Sequence, residues 1–450
     1  MAWPVRYKLV GLLATGSAIN YADRVNISVA APIMMGALGW DEARFGVIFS
    51  AFLLGYGLLQ IPGGVLADRW GAKFIIAGAC VGFSLFTALT PLGGSAFGLM
   101  LALRFCVGLF ESVTFPAYAS FNSRWIPRAE FSRAQTLSLS GVYIGQTLSY
   151  PITTWLVLTY SWPVTFYFNA VLGVLWLIVW LAYAANTPAA HPKITTEELH
   201  HIEAGLSPRS ETPASFWRIL KEPPVLFLSL AYLCLVYGLW MIVFWMPTYM
   251  VKGRGFSLQA MGWIGMIPTF ASFAGLISGG VLSDTLLRSG FSSRFARAQG
   301  PALCLAAAVP FLIAAALVPW ASVSIAGLTL YLFLANAAGG GFWSIPRELN
   351  PQQVGVIAGV TNCAGNVAGI AGPLSAGFFV SSSGGNWALP FLAAAGVATL
   401  AFLVLYFLVV PEPLRADALL PHAAPQQPLV LSQSLRPIPY IETLGREKYH

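Results

Sequence analysis

The sequence predicts an all-α integral membrane protein with twelve transmembrane helices arranged as two six-helix bundles. Of its 450 residues, 57% are hydrophobic and only 9% are charged, whereas an ordinary soluble domain carries about 25% charged residues. Apolar runs of the length that a helix needs to cross a bilayer, about 20 residues, recur along nearly the whole chain. Gly, Ala and Leu dominate these runs without the short alternating segments of an outer-membrane barrel, which favours helices.

Each apolar run is followed by a short polar loop, so the spans can be placed in order. Their approximate bounds are residues 8–33, 44–66, 74–92, 96–119, 133–157, 162–184, 223–250, 257–283, 298–317, 321–345, 353–380 and 386–410. A polar stretch between the sixth and seventh spans contains TTEELHHIEAGL, which predicts a short surface helix. We therefore expect an N-terminal bundle (1–185), a cytoplasmic linker (186–222), a C-terminal bundle (223–410) and a disordered cytoplasmic tail (411–450), since the tail has little periodic apolar pattern.

The net charge of +7 follows from topology. Of the 24 Lys and Arg residues, 19 fall in the termini and the loops on one side, 3 in the opposite loops and 2 within spans. The positive-inside rule places the richer side in the cytoplasm, so we expect both termini there. We expect a bacterial inner-membrane location and no nucleic-acid partner. The 5 cysteines fall within predicted spans without a CxxC spacing, which indicates neither a disulfide framework nor a zinc site.

A degenerate internal repeat supports the six-plus-six division. GGVLADRWGAKF (Gly63–Phe74) follows the second span, and GGVLSDTLLRSGFSSR (Gly279–Arg294) follows the eighth, which is the equivalent place in the second half. Parallel six-span halves with a substrate site between them are a known transporter plan.

The two acids of the repeat, Asp68 and Asp284, are interpreted as cytoplasmic conformational latches and not as substrate ligands. An acid at such a place can cap a helix N-terminus or pair with a loop base. Arg69 and Lys73 are the expected local partners of Asp68.

Four ionisable residues lie well inside predicted spans: Asp23, Arg24, Arg104 and Glu111. A charge at the bilayer centre costs about 2.5–3.5 kcal/mol and marks a functional site by default. Arginine stays charged and offers a planar fork to a carboxylate, so Arg24 is the candidate anchor for an anionic substrate. A carboxylic acid can change its charge, so Asp23 and Glu111 are the candidate proton carriers. Arg104 would tune Glu111 or contact the substrate; alternatively, all four form ion pairs that only set helix register.

Other pocket residues are open to two interpretations. Tyr21 and Tyr56 either hydrogen-bond substrate hydroxyls or are packed aromatics with locally satisfied hydroxyls. In the second half, Asn362 and Asn366 are four residues apart on a small-residue helix and either contact substrate or join closely packed helices. Trp343 is a candidate wall of the site.

Several motifs carry a family resemblance that extends from about residue 7 to residue 410. GGVLADRWGAK resembles the loop signature of the major facilitator superfamily, although Ala72 stands where that signature usually has a base. More narrowly, the chain resembles the anion:cation symporter family, which includes bacterial sugar-acid permeases and the animal sialic acid and vesicular glutamate carriers. The motifs that carry this resemblance are INYADRVNISVA (Ile19–Ala30), GYGLLQIPGG (Gly55–Gly64), RFCVGLFESVTFPA (Arg104–Ala117), GGGFWSIPREL (Gly339–Leu349) and GVTNCAGNVAGIAGPL (Gly359–Leu374).

The resemblance implies a function and a division of roles. It implies a proton-coupled symporter that imports a small organic anion such as a sugar acid, with protons as the coupling ion, no other cofactor and a monomeric protein. It implies proton coupling by Asp23 and Glu111 and substrate binding by Arg24. One departure is Val142, where several sugar-acid permeases have Gln; Gln146 lies one turn further on. This departure predicts a substrate with fewer hydroxyls, or a pose that uses Gln146, and leaves galactonate in doubt.

Three alternatives stay open. Within transport, the alternative is exchange of one anion for another, or sodium coupling. A non-transporting anion sensor is a second alternative, but a sensor needs an anion anchor and no proton carrier. An enzyme is a third, but the chain lacks HExxH, GxSxG and P-loop patterns, and its 5 histidines all fall in the linker or tail.

Overall fold

A computed structural model describes residues 3–206, 221–350 and 354–413, and in this part of the chain the regular structure is helical. The expected tail therefore lies almost wholly outside the described residues, as does part of the linker. Seventeen α-helices follow in chain order. They are α1 (Val5–Leu38), α2 (Glu42–Leu58), α3 (Gln60–Trp70), α4 (Ala72–Leu89), α5 (Phe97–Glu111), α6 (Thr114–Trp125), α7 (Phe131–Thr159), α8 (Trp162–Tyr183), α9 (Thr196–Gly205), α10 (Pro223–Thr248), α11 (Leu258–Ile264), α12 (Met266–Arg288), α13 (Gly300–Leu317), α14 (Ala321–Phe342), α15 (Ile345–Leu349), α16 (Val354–Ser382) and α17 (Ala388–Leu403).

These helices build the predicted twelve spans. Among the described residues, nine helical stretches are long and apolar enough to cross a membrane, and the bent pair α2–α3 makes ten. The remaining two are α1 and α7, which are 34 and 29 residues long and carry more polar residues. The fold is all-α with two six-helix bundles, α1–α8 and α10–α17. The domain bounds that we expect stay a prediction.

Prolines break four of the spans that the sequence predicts as continuous. Proline lacks an amide hydrogen, so the carbonyl four residues before it loses its helical partner. In each broken span, the first helix ends four or five residues before a proline. The helix ends and prolines are Leu58 and Pro62, Glu111 and Pro116, Ile264 and Pro268, and Phe342 and Pro346. The breaks fall in spans two and four of each half, which extends the internal repeat.

The linker helix α9 packs against the start of α1. Thr195 caps α9 by accepting a hydrogen bond from the Glu198 amide, and the Glu198 carboxylate accepts bonds from the backbone amides of Val5 and Arg6 at 3.0 Å. The short helix expected in TTEELHHIEAGL is therefore confirmed. We call this end of the molecule the linker end and the opposite end, where α1 finishes, the far end.

Glycines allow the helices that carry the charges to approach closely. A Cβ atom on Gly108 would overlap the Phe52 carbonyl oxygen, and one on Gly55 would overlap that of Phe105. The backbones of α2 and α5 therefore touch, which is possible only where no side chain intervenes. Gly145 of α7 packs in the same way against the carbonyl of Ala18 on α1.

Side chains from the two halves meet at the far end. The Lys252 ammonium is 2.8 Å from a Glu42 carboxylate oxygen, and Ser381 donates to Asp41 at 3.1 Å. Further in, the ring of Phe49 stacks on Phe244 with a centroid distance of 4.9 Å. The hydrogen bonds and ion pairs that join the halves within the described residues extend from this end only as far as Gln60, so the far end is closed.

Candidate functional site

A buried ion pair joins α1 to α5 in the interior of the first half. The Arg24 Nη2 atom donates to the Glu111 Oε2 atom at 2.9 Å, and Arg24 Nε lies 3.3 Å from the same oxygen. Both side chains are 0% exposed. Glu111 is the last residue of α5, because the break before Pro116 ends the helix there. The sequence-predicted anion anchor and one predicted proton carrier are therefore in direct contact.

Aromatic rings enclose the Arg24 guanidinium. Its central carbon lies 4.4 Å from the ring centroid of Tyr21 and 4.3 Å from that of Tyr56. The rings of Phe52 and Trp240 lie at 5.2 and 5.7 Å. Cations over aromatic faces within about 6 Å are stabilised by the ring quadrupole. Tyr21 and Tyr56 thus act first as packing partners of Arg24.

Trp240 brings the second half of the chain to this site. It lies on α10, and a Cβ atom on Gly369 of α16 would meet its ring at 3.4 Å. We did not predict Trp240, since it is one of 15 tryptophans in an apolar run with no periodic polar residue to set it apart. Only helix packing distinguishes it from the others.

The second acid and base lie in the same interior. Asp23 is 1% exposed and accepts a hydrogen bond from Thr87 on α4. Arg104 is also 1% exposed, and its guanidinium carbon lies 5.2 Å from the Phe52 ring centroid. Arg104 interacts electrostatically with Asp23 and Glu111. All four intramembrane charges predicted from the sequence are thus gathered within one bundle.

Several polar atoms of this cluster lack a hydrogen-bond partner among the described residues. They include Asp23 Oδ1, Glu111 Oε1, Arg24 Nη1 and all three guanidinium nitrogens of Arg104. Buried polar groups normally find partners, and arginine nitrogens are the natural donors to a carboxylate. Each acid also keeps one oxygen free, so a proton can be added there without displacing a donor. The arrangement can therefore hold an anion and exchange protons.

The two predicted asparagines of the second half meet a residue that we did not include in the site. Asn362 and Asn366 both donate to the Gln60 Oε1 atom, at 3.1 and 2.9 Å. These bonds cross between the halves, from α16 to α3. The signal that could have identified Gln60 is its place two residues before Pro62, because a polar residue at a broken span is well placed to line a cavity.

Two other predicted pocket residues lie apart from the ring contacts of Arg24. Trp343 is 41% exposed, and its ring contacts are with Tyr232 at 5.0 Å and Phe342 at 5.9 Å. Gln146 is buried on α7, and no hydrogen bond joins it to the described residues. Their roles in binding stay predictions.

The predicted latch acids have partners within their own halves. The Asp68 carboxylate accepts a hydrogen bond from Ser120 at 2.6 Å, and its carbonyl accepts one from Arg124 at 2.8 Å. Among the described residues, Ser120 and Arg124 take the place that we expected for Arg69 and Lys73, because α3 packs along α6. Lys73 uses its main chain instead, donating to Asn186 and accepting from Trp180.

The second-half latch has the same local character. Asp284 pairs with Arg297 at 2.7 Å, and Arg297 also approaches Glu348 at 4.0 Å. Metal binding is not indicated in the part of the chain that the structure describes, where no group of three or more His, Cys, Asp or Glu side chains could hold an ion.

Comparisons with known proteins agree with this architecture. The family model described as Major Facilitator Superfamily matches residues 13–373. The "Probable galactarate/D-glucarate transporter" of Bacillus subtilis is 30% identical over 433 residues, which cover 91% of this chain and 93% of the relative. The "Hexuronate transporter" of the same organism is 31% identical over 407 residues, with 89% and 93% covered.

A solved structure shows the same fold. A bacterial homologue of the human lysosomal transporter Spinster, in an inward-facing and occupied conformation, superposes with a TM-score of 0.75 at 17% identity, covering 94% of this chain and 100% of that one. The family match spans most of the chain, and the relatives match it at nearly full length. This chain therefore belongs to the major facilitator superfamily, in its anion:cation symporter branch, and is a membrane transporter and not an enzyme.

Proposed function

We propose that the protein is a proton-coupled symporter that imports a small organic anion, a sugar acid or a related carboxylate, by alternating access. The observation that carries this proposal is the fully buried pair of Arg24 and Glu111 at 2.9 Å. An arginine committed to an acid that can be neutralised is an anion site whose availability depends on a proton. The sugar-acid transport named for two relatives supports the substrate class.

The proposed cycle begins with protonation. Glu111 keeps Oε1 free of hydrogen bonds, so a proton added there removes the charge that holds Arg24. The Arg24 guanidinium then turns its fork to the substrate carboxylate, which replaces Glu111 as its counter-ion. Asp23 titrates beside Arg104 in the same way. The neutralised complex crosses as the halves rock about the site between them.

Release reverses these steps. When Glu111 loses its proton on the other side of the membrane, its carboxylate competes for Arg24 and expels the anion. Asp68 and Asp284 would act at the linker end as latches that rearrange while the halves rock. The protein would work as a monomer, with the linker end and both termini in the cytoplasm of a bacterial cell, since the basic residues concentrate on that side.

The test is uptake into proteoliposomes of labelled monocarboxylates and dicarboxylates, from sugar acids to aromatic acids, under an inward proton gradient. We expect accumulation of one class that an uncoupler abolishes. Entry without accumulation, or accumulation that ignores the proton gradient, would contradict proton coupling and favour anion exchange or sodium coupling. Binding without entry of any acid would favour a sensor.

A further inference from the structure

Three amide side chains form a cluster between the halves, one helical turn from the Arg24 cage. They are Gln60, Asn362 and Asn366, which we call the amide cluster. We propose that the amide cluster is a hydroxyl-binding subsite, with Gln60 as the specificity-determining residue that selects hydroxylated carboxylates over plain ones. This inference rests on the proposed function, because it assigns a second contact to the same transported anion.

The broken second span explains why Gln60 is available. Pro62 leaves the Leu58 carbonyl without its helical donor, and α2 and α3 meet there at an angle of 41°. Gln60 is the first residue after the break and is half-buried. Substrate sites of such carriers are typically built where spans are discontinuous, because irregular backbone at membrane depth is tolerated only where it is buried or lines a cavity.

The hydrogen bonds within the amide cluster leave useful atoms free. Gln60 accepts from both asparagines through Oε1 alone. Among the described residues, no hydrogen bond uses Gln60 Nε2 or the Oδ1 atoms of Asn362 and Asn366. A hydroxyl group donates once and accepts twice. Gln60 Nε2 can therefore donate to a substrate hydroxyl whose own hydrogen is accepted by an asparagine Oδ1.

The separation between the amide cluster and Arg24 suits one small molecule. Tyr56, whose ring lies 4.3 Å from the Arg24 guanidinium carbon, is one helical turn before Gln60. The rise over four residues is about 6 Å, roughly the length of a four- or five-carbon chain of 1.5 Å bonds. A sugar acid with its carboxylate at Arg24 can thus place a hydroxyl at Gln60.

The same chemistry predicts discrimination against plain acids. An alkyl chain at the amide cluster offers no hydrogen bond, and it would separate the polar groups from water. Sites built to bond a hydroxyl reject analogues that lack it far more strongly than apolar pockets reject a small change in shape. If the amides served only to hold the halves together, they would not distinguish the two kinds of acid.

The experiment compares paired acids that differ only in their hydroxyl groups: galactarate with adipate, and gluconate with hexanoate. Proteoliposomes containing the full chain take up the labelled hydroxylated acid, and each unlabelled acid is titrated as an inhibitor. The variant is Gln60→Met, which keeps the side-chain length and removes its hydrogen bonds. The control is Asn336→Leu, because the Asn336 amide bonds within its own helix, to the Leu332 carbonyl at 2.8 Å.

We expect the wild type and Asn336→Leu to favour the hydroxylated acid of at least one pair. Gln60→Met should reduce that preference about tenfold, the size of one lost hydrogen bond, by weakening the hydroxylated acid and not the plain one. An unchanged preference in Gln60→Met, even with slower transport, would overturn the inference and leave the proposed function intact. So would a wild type that carries plain and hydroxylated acids equally. A wild type that carries no carboxylate would overturn the proposed function and this inference with it.

Discussion

Arg24 directs Nε and Nη2 to a single oxygen of Glu111, at 3.3 and 2.9 Å, while tyrosine rings enclose its guanidinium. The acid comes from α5 and the base from α1, so the bond also ties two helices together. Breaking a buried pair by removing one partner is strongly destabilising, by about 3–5 kcal/mol. Variants at this site should therefore preserve shape while they change charge or geometry.

Glu111→Gln keeps the side-chain shape and removes the titratable group. Under proton symport, this variant should lose gradient-driven accumulation while it still exchanges labelled for unlabelled substrate across the membrane, since exchange needs no net proton movement. Both are measured in the same proteoliposomes, with and without an uncoupler. Normal accumulation by Glu111→Gln would remove Glu111 from the coupling mechanism.

Arg24→Lys keeps the positive charge and removes the planar fork. Lysine is a point charge that cannot donate in parallel to a carboxylate, and it stacks less well between Tyr21 and Tyr56. We expect the affinity for substrate to fall about 10- to 100-fold, the equivalent of roughly 1.4–2.8 kcal/mol. Equilibrium binding to purified protein measures this change, with the exposed Arg69→Lys as the matched control. Equal affinity in the two variants would exclude Arg24 as the anchor.

A disulfide across the far end should stop transport. Asp41 and Ser381 lie in different halves, with Ser381 Oγ 3.1 Å from a carboxylate oxygen of Asp41. In Asp41→Cys/Ser381→Cys, oxidation should hold the far end closed and abolish uptake, and a reductant should restore it. The single-cysteine variants control for the 5 native cysteines. Undiminished uptake by the oxidised, cross-linked protein would show that the far end does not open during transport.

The acid Glu130 predicts a pH dependence of stability at the linker end. Partial burial would raise its pKa, but hydrogen bonds from Arg6, His201 and Tyr7 outweigh this effect and lower it from 4.5 to about 2. A lowered folded-state pKa means that the stabilisation is complete above pH 4.5 and is lost as the pH falls from there towards 2. Because the cluster is partly exposed to solvent, the contribution is about 1 kcal/mol.

Thermal unfolding of the detergent-solubilised protein tests this dependence. At pH 6, Glu130→Gln should unfold a few degrees below the wild type, and the difference should shrink as the pH is lowered to 3. Glu203→Gln, on the same linker helix as His201 but exposed, serves as the control. A difference that stays constant with pH would show that the charge of Glu130 does not contribute.

The sequence predicted the spans well, because each span must present about 20 apolar residues to lipid whatever its neighbours are. It also identified the four charges of the first half, since a charge inside such a run stands out against its surroundings. It missed the breaks in four spans, although the prolines that cause them are visible, because a single proline can kink a helix or end it, and packing decides which.

The partners of these residues were beyond the reach of local pattern. Arg24 and Glu111 are 87 positions apart in the chain, and Gln60 and Asn366 are 306 apart. Such contacts depend on how closely helices approach, which is set by small residues such as Gly55 and Gly108 that carry no chemical signal of their own. For the same reason Trp240 and Gln60 were absent from the predicted site.

The sequence by itself determined that this protein is a twelve-span carrier with two acids and two arginines in its interior, because hydrophobicity and charge act residue by residue. Only the tertiary structure decided which charges meet, which rings enclose Arg24 and which amides join the halves. Those contacts form between helices remote in the chain, and their free energies depend on distances of a few ångströms that no single helix encodes.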